Sequence, residues 1–163
     1  MSPRVAVVGH VEWVMFAEVP RVPRPGGIAR ARDFYEEPGG GGGVAAVALT
    51  RLAGRCAFLT ALGADSEGER SQSRLRELGV DLHVAPRTRT RRAFTHADDA
   101  GERTITILGE RIVPHGADPL PWPDLAACDA VYFTGGDAEA LVHARRAPWL
   151  VATPRALDTV REA

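Results

Sequence analysis

The sequence predicts an α/β domain: a largely parallel sheet flanked by helices, with a small second sheet projecting from it. Three observations lead there. Short continuous apolar runs recur, "RVAVVG" at 4–9, "CAFLTALG" at 56–63, "DAVYFTGG" at 129–136 and "WLVAT" at 149–153, the pattern of strands buried on both faces. Helix-like segments alternate with them, which is how a chain builds a parallel sheet. Two polar segments, 28–37 and 91–108, fall outside the buried set. Their strand-like, period-two character places them together as the projecting sheet.

Taken in order, "RVAVVG" gives the first strand and "WVMFAEV" the second, closed by the turn residues of "VPRPGG". From Ile28 to Phe34 the chain alternates as a half-exposed strand does. Five glycines, Gly39 to Gly43, then open into "VAAVALTRLAG", a small-residue helix expected from about Val44 to Ala53. After the strand "CAFLTALG", "SEGERSQSRLRELG" reads as an exposed helix with Ser66 as N-cap, Glu69 three residues on and Gly79 as its stop. "VDLHVA" is a strand, and "RRAFTHADDAGERTITIL" a hairpin turning at "DDAG". One apolar face of the projecting sheet would carry Phe94, Ile105 and Ile107, and a second copy of the chain is expected to cover it, as a homodimer through these strands. "PHGADPLPWPD" is a proline-rich loop anchored by Trp122, "DAEALVHARRA" a helix, and "PRALDTVREA" the start of another. With no closing strand after it, the 163 residues are expected to be part of a longer fold.

Composition narrows the function. A chain of 163 residues with 45% hydrophobic and 25% charged residues fits one ordinary domain with a real core. A formal net charge of −1 argues against nucleic acid or an anionic membrane as partner. The arginine-rich stretch Arg87, Arg89, Arg91 and Arg92 reads instead as a solvated edge strand. All 20 basic residues are arginine, which excludes a phosphate-loop lysine and a Schiff-base lysine. Cys56 and Cys128 form no CxxC pair, so a reducing compartment is the expectation. His10 and Glu12 interrupt the N-terminal apolar run, and no segment approaches the ~18 apolar residues of a membrane helix. A cytoplasmic protein is expected. The five histidines lack metal-ligand spacing, and no metal site is expected.

The glycine run is the sharpest feature. A flexible linker carries serine between polar flanks, whereas this run passes straight into a helix. Glycines where a strand meets a helix let backbone N–H groups face a ligand at the positive end of the helix dipole. A dinucleotide fingerprint would use Gly40 and Gly42 as G-x-G, with Asp65 as the ribose acid. Its third glycine position is Ala45, however, and the preceding strand is charged. Asp65 reads first as a helix cap.

Read together, "VAVVGHVEW", "PGGGGGVAAVALTRLAG", "LTALGADSEGE", "RLRELGVDLHV" and "RRAFTHADDAGERTITILGER" occur in the order seen in the PfkB, or ribokinase-like, carbohydrate kinases. The chain resembles that family in its glycine-ended first strand and its glycine-rich turn before a small-residue helix. It also shares a G-x-D-x-x-G element (Gly63, Asp65, Gly68) and a hairpin returning on a G-E-R-T sequence (Gly101 to Thr104). The resemblance implies an ATP- and Mg²⁺-dependent kinase of a small sugar or nucleoside hydroxyl. It implies that Gly40, Gly41 and Gly43 approach the substrate through backbone groups, and that Glu12 and Asp137 bind it. It further makes 28–37 and 91–108 a lid carrying Arg92, Phe94 and Arg103.

Two departures stand out. Ala45 occupies the position of the family's substrate-binding asparagine, and the catalytic G-A-G-D element is absent from these residues. The chain is therefore expected to carry the substrate-binding part of a kinase, with no catalytic residue, no bound ATP and no activity of its own. The alternatives are a non-catalytic sugar- or nucleoside-binding or regulatory module and, third, a dinucleotide-binding oxidoreductase.

Overall fold

In the computed structural model, which describes residues 2–162, the chain runs β1 (Val5–Val8), β2 (Glu12–Glu18), β3 (Asp33–Gly39), α1 (Gly40–Ala53), β4 (Cys56–Gly63), α2 (Ser66–Glu77), β5 (Asp81–Arg87), β6 (Arg92–Ala97), β7 (Arg103–Leu108), β8 (Ala130–Phe133), α3 (Ala138–Ala144), β9 (Trp149–Ala152) and α4 (Leu157–Glu162). The apolar runs make one sheet in the order β5-β4-β1-β8-β9, with every pair parallel. Alternate residues serve opposite faces. Val7, Phe58 and Leu62 pack with Ala46 of α1 and Leu75 of α2. Ala6, Val8, Leu59 and Phe133 pack on the other face with Leu141 of α3 and with Trp122 and Leu125 of a short 3₁₀ turn. This is the expected α/β architecture.

Trp122 anchors its proline-rich loop twice over: its indole N–H donates to the Asp118 carbonyl at 3.0 Å, and its ring stacks on His143. Both cysteines are free thiols. Among the described residues no helix is long and apolar enough to cross a membrane.

A separate four-stranded sheet has the order β3-β2-β6-β7. Several expectations are corrected here. The strand expected over 28–37 begins only at Asp33 and continues to Gly39, because Ile28 projects fully into solvent and nothing pairs the chain until the Arg32 N–H reaches the Glu18 carbonyl. Segments 28–37 and 91–108 do not pair with each other. β2 lies between them, antiparallel to β3 and parallel to β6; its apolar residues suit that central position.

The arginine-rich stretch is not a single edge strand either. Arg87 ends β5, at the edge of the parallel sheet, Arg89 and Arg91 lie in the link that follows, and Arg92 opens β6, an inner strand of the small sheet. Nor do Phe94, Ile105 and Ile107 share a face. Phe94 stands opposite Thr106, whereas Ile105 and Ile107 stand opposite Thr95 and Ala93. With a side-chain period of two, that register puts Phe94 on the other side.

α1 starts at Gly40, four residues before the expected Val44, so the glycines form its first turn. Of the two caps read for α2, Asp65 and not Ser66 is the N-cap: the Asp65 carboxylate accepts the Gly68 N–H.

Candidate substrate site at the carboxyl edge of the parallel sheet

Open parallel sheets bind ligands beyond the carboxyl ends of their strands, and the functional features of this chain gather there. β1 runs on into Gly9 and His10. The Gly9 N–H donates to the Leu59 carbonyl at 3.1 Å, and the Thr134 N–H to the Val8 carbonyl at 2.8 Å, which extends the ladder past the strand ends. The start of α1 lies against this edge, its Gly42 N–H donating to the His10 carbonyl at 3.1 Å.

Two glycines explain how the helix comes so close. Gly40 has φ +79°, a left-handed conformation that turns β3 directly into α1 and that a Cβ disfavours. A Cβ on Gly42 would lie 2.7 Å from the His10 carbonyl oxygen and 2.9 Å from the Phe58 ring. Gly42 is thus the point of closest backbone approach, although the family motif leaves that position open. A Cβ on Gly41 meets only ordinary contacts, 3.6 Å from His10 Cε1 and 3.7 Å from Thr134 Cβ. Gly43 is intermediate, 3.2 Å from Val11. α1 has no side-chain cap and no acid in its first turn, so the positive end of its dipole faces this edge unneutralised.

His10 is only 6% exposed. Its Nδ1 lies 2.8 Å from Arg111 Nη2, which also donates to the Thr134 carbonyl at 3.2 Å. Burial, then the charges of Arg111, Arg91 and Arg155, lower the His10 pKa to about 3. The ring is therefore neutral near pH 7. Burial, then Arg91 and Arg155, lowers the Arg111 pKa as well, with Glu12 opposing them. Glu12 opens β2 opposite Gly39. Its Oε2 lies 3.1 Å from Arg91 Nε, with both side chains mostly buried. The N–H is poorly aimed, however, and both atoms keep unused hydrogen-bonding capacity. A groove of ≈ 500 Å³ adjoins this corner, lined by Arg87, Thr90, Arg91, Arg92, Leu108 and Ile112 among others. An apolar cavity of ≈ 360 Å³ that includes Val5, Ala57 and Asp81 opens at the amino ends of the strands, away from this chemistry.

The structure thus brings Glu12, Gly40, Gly41 and Gly43 to one corner. Asp137 caps α3, its Oδ1 accepting from the Ala140 N–H at 2.8 Å and from the Gly116 N–H at 2.9 Å. Arg92 sits at the base of the β6–β7 hairpin, 3.5 Å from Glu67. Phe94 stands edge-on to His96. Arg103, paired with Ala97, is exposed at the far end of that hairpin. His10 and Arg111 were not among the site residues expected from the sequence, Arg91 was read only as part of a solvated strand, and Gly42 only as part of a dinucleotide fingerprint. His10 follows the glycine that ends β1, which was a signal for it. Arg111, 101 residues away, had none.

The G-x-D-x-x-G element is a structural joint. Asp65 accepts from Thr90 Oγ1 at 2.6 Å, from the Thr90 N–H at 2.7 Å and from the Gly68 N–H at 2.9 Å. A Cβ on Gly63 would overlap the Arg89–Thr90 backbone, and one on Gly68 the Gly63 carbonyl. Among the described residues no three His, Cys, Asp or Glu side chains converge as metal ligands, and the chain has no lysine.

A five-stranded parallel sheet flanked by helices, with a small second sheet beside its carboxyl edge, defines the ribokinase-like α/β class. Solved structures agree. Ribokinase from Giardia lamblia superimposes with a TM-score of 0.71 at 19% identity, over 94% of this chain and 52% of that one. Phosphofructokinase-2 from Escherichia coli, in complex with fructose-6-phosphate, gives a TM-score of 0.71 at 16% identity, over 98% of this chain and 57% of that one.

Residues 2–156 match the pfkB family carbohydrate kinases, and the chain belongs to that family. It is 29% identical over 119 residues to the ATP-dependent ribose-1-phosphate kinase of Halopiger xanaduensis, covering 71% of this chain and 40% of that protein. It is 26% identical over 110 residues to the ribokinase of Haemophilus influenzae, covering 66% and 36%. The matched region thus spans about two fifths of these relatives' length.

Proposed function

We propose that the chain provides the substrate-binding part of an ATP-dependent kinase that phosphorylates a hydroxyl of a small sugar or nucleoside. The observation that carries this reading is the corner where Glu12, the start of α1 and the end of β1 converge beside the small sheet. Glu12 Oε2 has unused acceptor capacity, which suits a sugar hydroxyl. The Gly42 N–H is taken by the His10 carbonyl, but the Gly41 N–H of the same turn lies beside the corner with no side chain of its own in the way. The sheet β3-β2-β6-β7 is read as a lid, with Arg92 and Phe94 closing over the ligand. ATP, with Mg²⁺, supplies the phosphoryl group. The base and anion hole that such transfer requires are assigned to residues outside this chain, because no G-A-G-D element occurs in it. The names of the two curated relatives, a ribose-1-phosphate kinase and a ribokinase, support a pentose or pentose phosphate as the first substrates to try.

The test is calorimetric titration of the chain with pentoses, hexoses, nucleosides and their phosphates, with and without Glu12→Gln. Binding of one class that the substitution weakens about tenfold or more supports the reading. Failure of every sugar, nucleoside and sugar phosphate to bind a folded chain overturns it.

A further inference from the structure

The hydrogen-bonding arithmetic around His10 is unbalanced. A guanidinium has only donors, so the 2.8 Å contact from Arg111 Nη2 makes Nδ1 the ring's acceptor nitrogen. The neutral imidazole then carries its proton on Nε2. The backbone N–H of Gly41 points at that same nitrogen from 3.4 Å. Two donors therefore face each other, and among the described residues neither has another acceptor. The ring is more than nine-tenths buried, so the missing partner is costly. What the geometry lacks is an electron-pair donor between Nε2–H and the Gly41 N–H.

The surroundings specify its charge. Arg111, Arg91 and Arg155 all act on the His10 ring, and Glu12 is the carboxylate that acts on Arg111. Arg91 Nε and Thr134 Oγ1 are buried without a hydrogen-bond partner. α1 contributes a first turn with neither cap nor acid, whereas α2 is capped by Asp65. Glu12, 3.1 Å from Arg91, offsets only part of the charge of the three guanidinium groups, and a neutral hydroxyl would leave the rest uncompensated and most of these donors unused. A dianionic oxyanion with three terminal oxygens answers both.

We propose that His10, Gly41 and Arg111 form a phosphate subsite, with Arg91 completing its field, and that the acceptor is an already phosphorylated sugar. This rests on the kinase reading above. One phosphate oxygen would take both Nε2–H and the Gly41 N–H, and the Arg111 guanidinium would hold a second. Glu12, across the corner, remains for a hydroxyl of the same sugar.

The test uses the chain as it is, with ¹⁵N-histidine labelling to follow the His10 ring and calorimetry to follow affinity at constant ionic strength. The probes are inorganic phosphate, ribose, ribose 5-phosphate, ribose 1-phosphate and ATP. Inorganic phosphate should shift the His10 Nε2 signal and leave Nδ1 an acceptor. A ribose phosphate should bind about tenfold or more tighter than ribose, and Arg111→Gln should erase that preference. Arg91→Gln, which removes no contact to His10, should reduce the preference in part and serves if the Arg111 variant does not fold. Ribose binding as tightly as its phosphates, with the His10 signals unmoved by phosphate, would overturn the inference and leave the kinase reading standing. ATP displacing phosphate while neither ribose phosphate does so would also overturn it, since the subsite would then belong to the nucleotide. Phosphate moving the His10 signals while no sugar, nucleoside or sugar phosphate binds would defeat the kinase reading, and with it the assignment to an acceptor.

Discussion

Thr90 Oγ1 donates to Asp65 Oδ1 at 2.6 Å while accepting from the Gly63 N–H at 3.0 Å. One buried hydroxyl therefore ties the end of β4, the start of α2 and the link into β6 together. Asp65 adds the Thr90 and Gly68 N–H groups to the same carboxylate. Burial alone would raise its pKa, but these hydrogen bonds outweigh burial and hold it below the ordinary carboxylate value.

Asp65→Ala should therefore destabilise the fold by about 2–4 kcal/mol, a lost cap plus two stranded Thr90 donors. Thr90→Val should cost about half as much. Urea unfolding checks both; a loss under about 0.5 kcal/mol for Asp65→Ala would mean that the joint carries little.

His10 gives a pH dependence of definite sign. Unfolded, its pKa is near the model-compound value of 6.5; folded, it is lowered to about 3. Between those values the unfolded chain binds a proton that the folded chain refuses, so stability falls as pH drops from 6.5 toward 3. The slope from this one group approaches about 1.4 kcal/mol per pH unit. Asp65 and Asp118, held below 3.8, contribute stability that is present above that pH and is lost below it, as pH falls through their folded values. The window from 6.5 to 4.5, above the ordinary value from which the Glu67 pKa is also lowered, thus isolates His10. His10→Asn should flatten the stability profile there, and an unchanged slope between pH 6.5 and 4.5 would assign it to another group.

The parallel sheet was legible because its strands are buried on both faces and so read as unbroken apolar runs. The small sheet was only half legible. Glu36 and Glu37 look like solvent-facing charges, but they meet Arg70 at 2.5 Å and Arg74 at 2.8 Å on α2, a pairing that no local pattern announces. β2 was readable as a strand, while its insertion between β3 and β6 depends on tertiary closure. At the site, the glycines were visible because a run of five is rare in a helix start. Arg111 was not, because its significance lies in a contact with a residue 101 positions earlier.

Those arginine–glutamate pairs predict local mechanics more than global stability. Arg70 also lies over the Trp13 ring, 4.3 Å from its centroid. Arg70 is exposed and the other three charged groups are half-buried at the surface, where such pairs contribute about 0–1 kcal/mol each. The double variant Arg70→Gln, Arg74→Gln should leave the global unfolding midpoint nearly unchanged. Hydrogen exchange in β3 should quicken several-fold while β1 and β4 stay protected. Uniform exchange changes across both sheets would show that α2 does not hold β3 separately.

The chain should transfer no phosphoryl group by itself. Positioning and charge stabilisation supply nearly all of the rate in such reactions, and the expected G-A-G-D element is not in its sequence. Incubation with ATP, Mg²⁺ and the sugar panel should give no product above a no-protein control. Product above it would place the base and anion hole within these residues.

The glycine run separates binding from folding at adjacent positions. At Gly41 a methyl group fits with ordinary contacts to His10 and Thr134. Gly41→Ala should therefore fold normally, gaining up to about 0.4–1 kcal/mol from a stiffer unfolded chain. The methyl nevertheless projects toward His10 and Thr134, beside the N–H groups proposed to meet the ligand, so affinity for whichever sugar or sugar phosphate binds should drop. At Gly42 the same methyl would press on the His10 carbonyl and the Phe58 ring, and overpacking of that kind costs about 1–3 kcal/mol. Melting temperature and affinity measured on both variants decide the matter. If Gly41→Ala melts normally and binds as tightly as the parent chain, ligand approach does not explain the glycine at 41, and the close packing of α1 on β1 at Gly42 is left as the reason for the run.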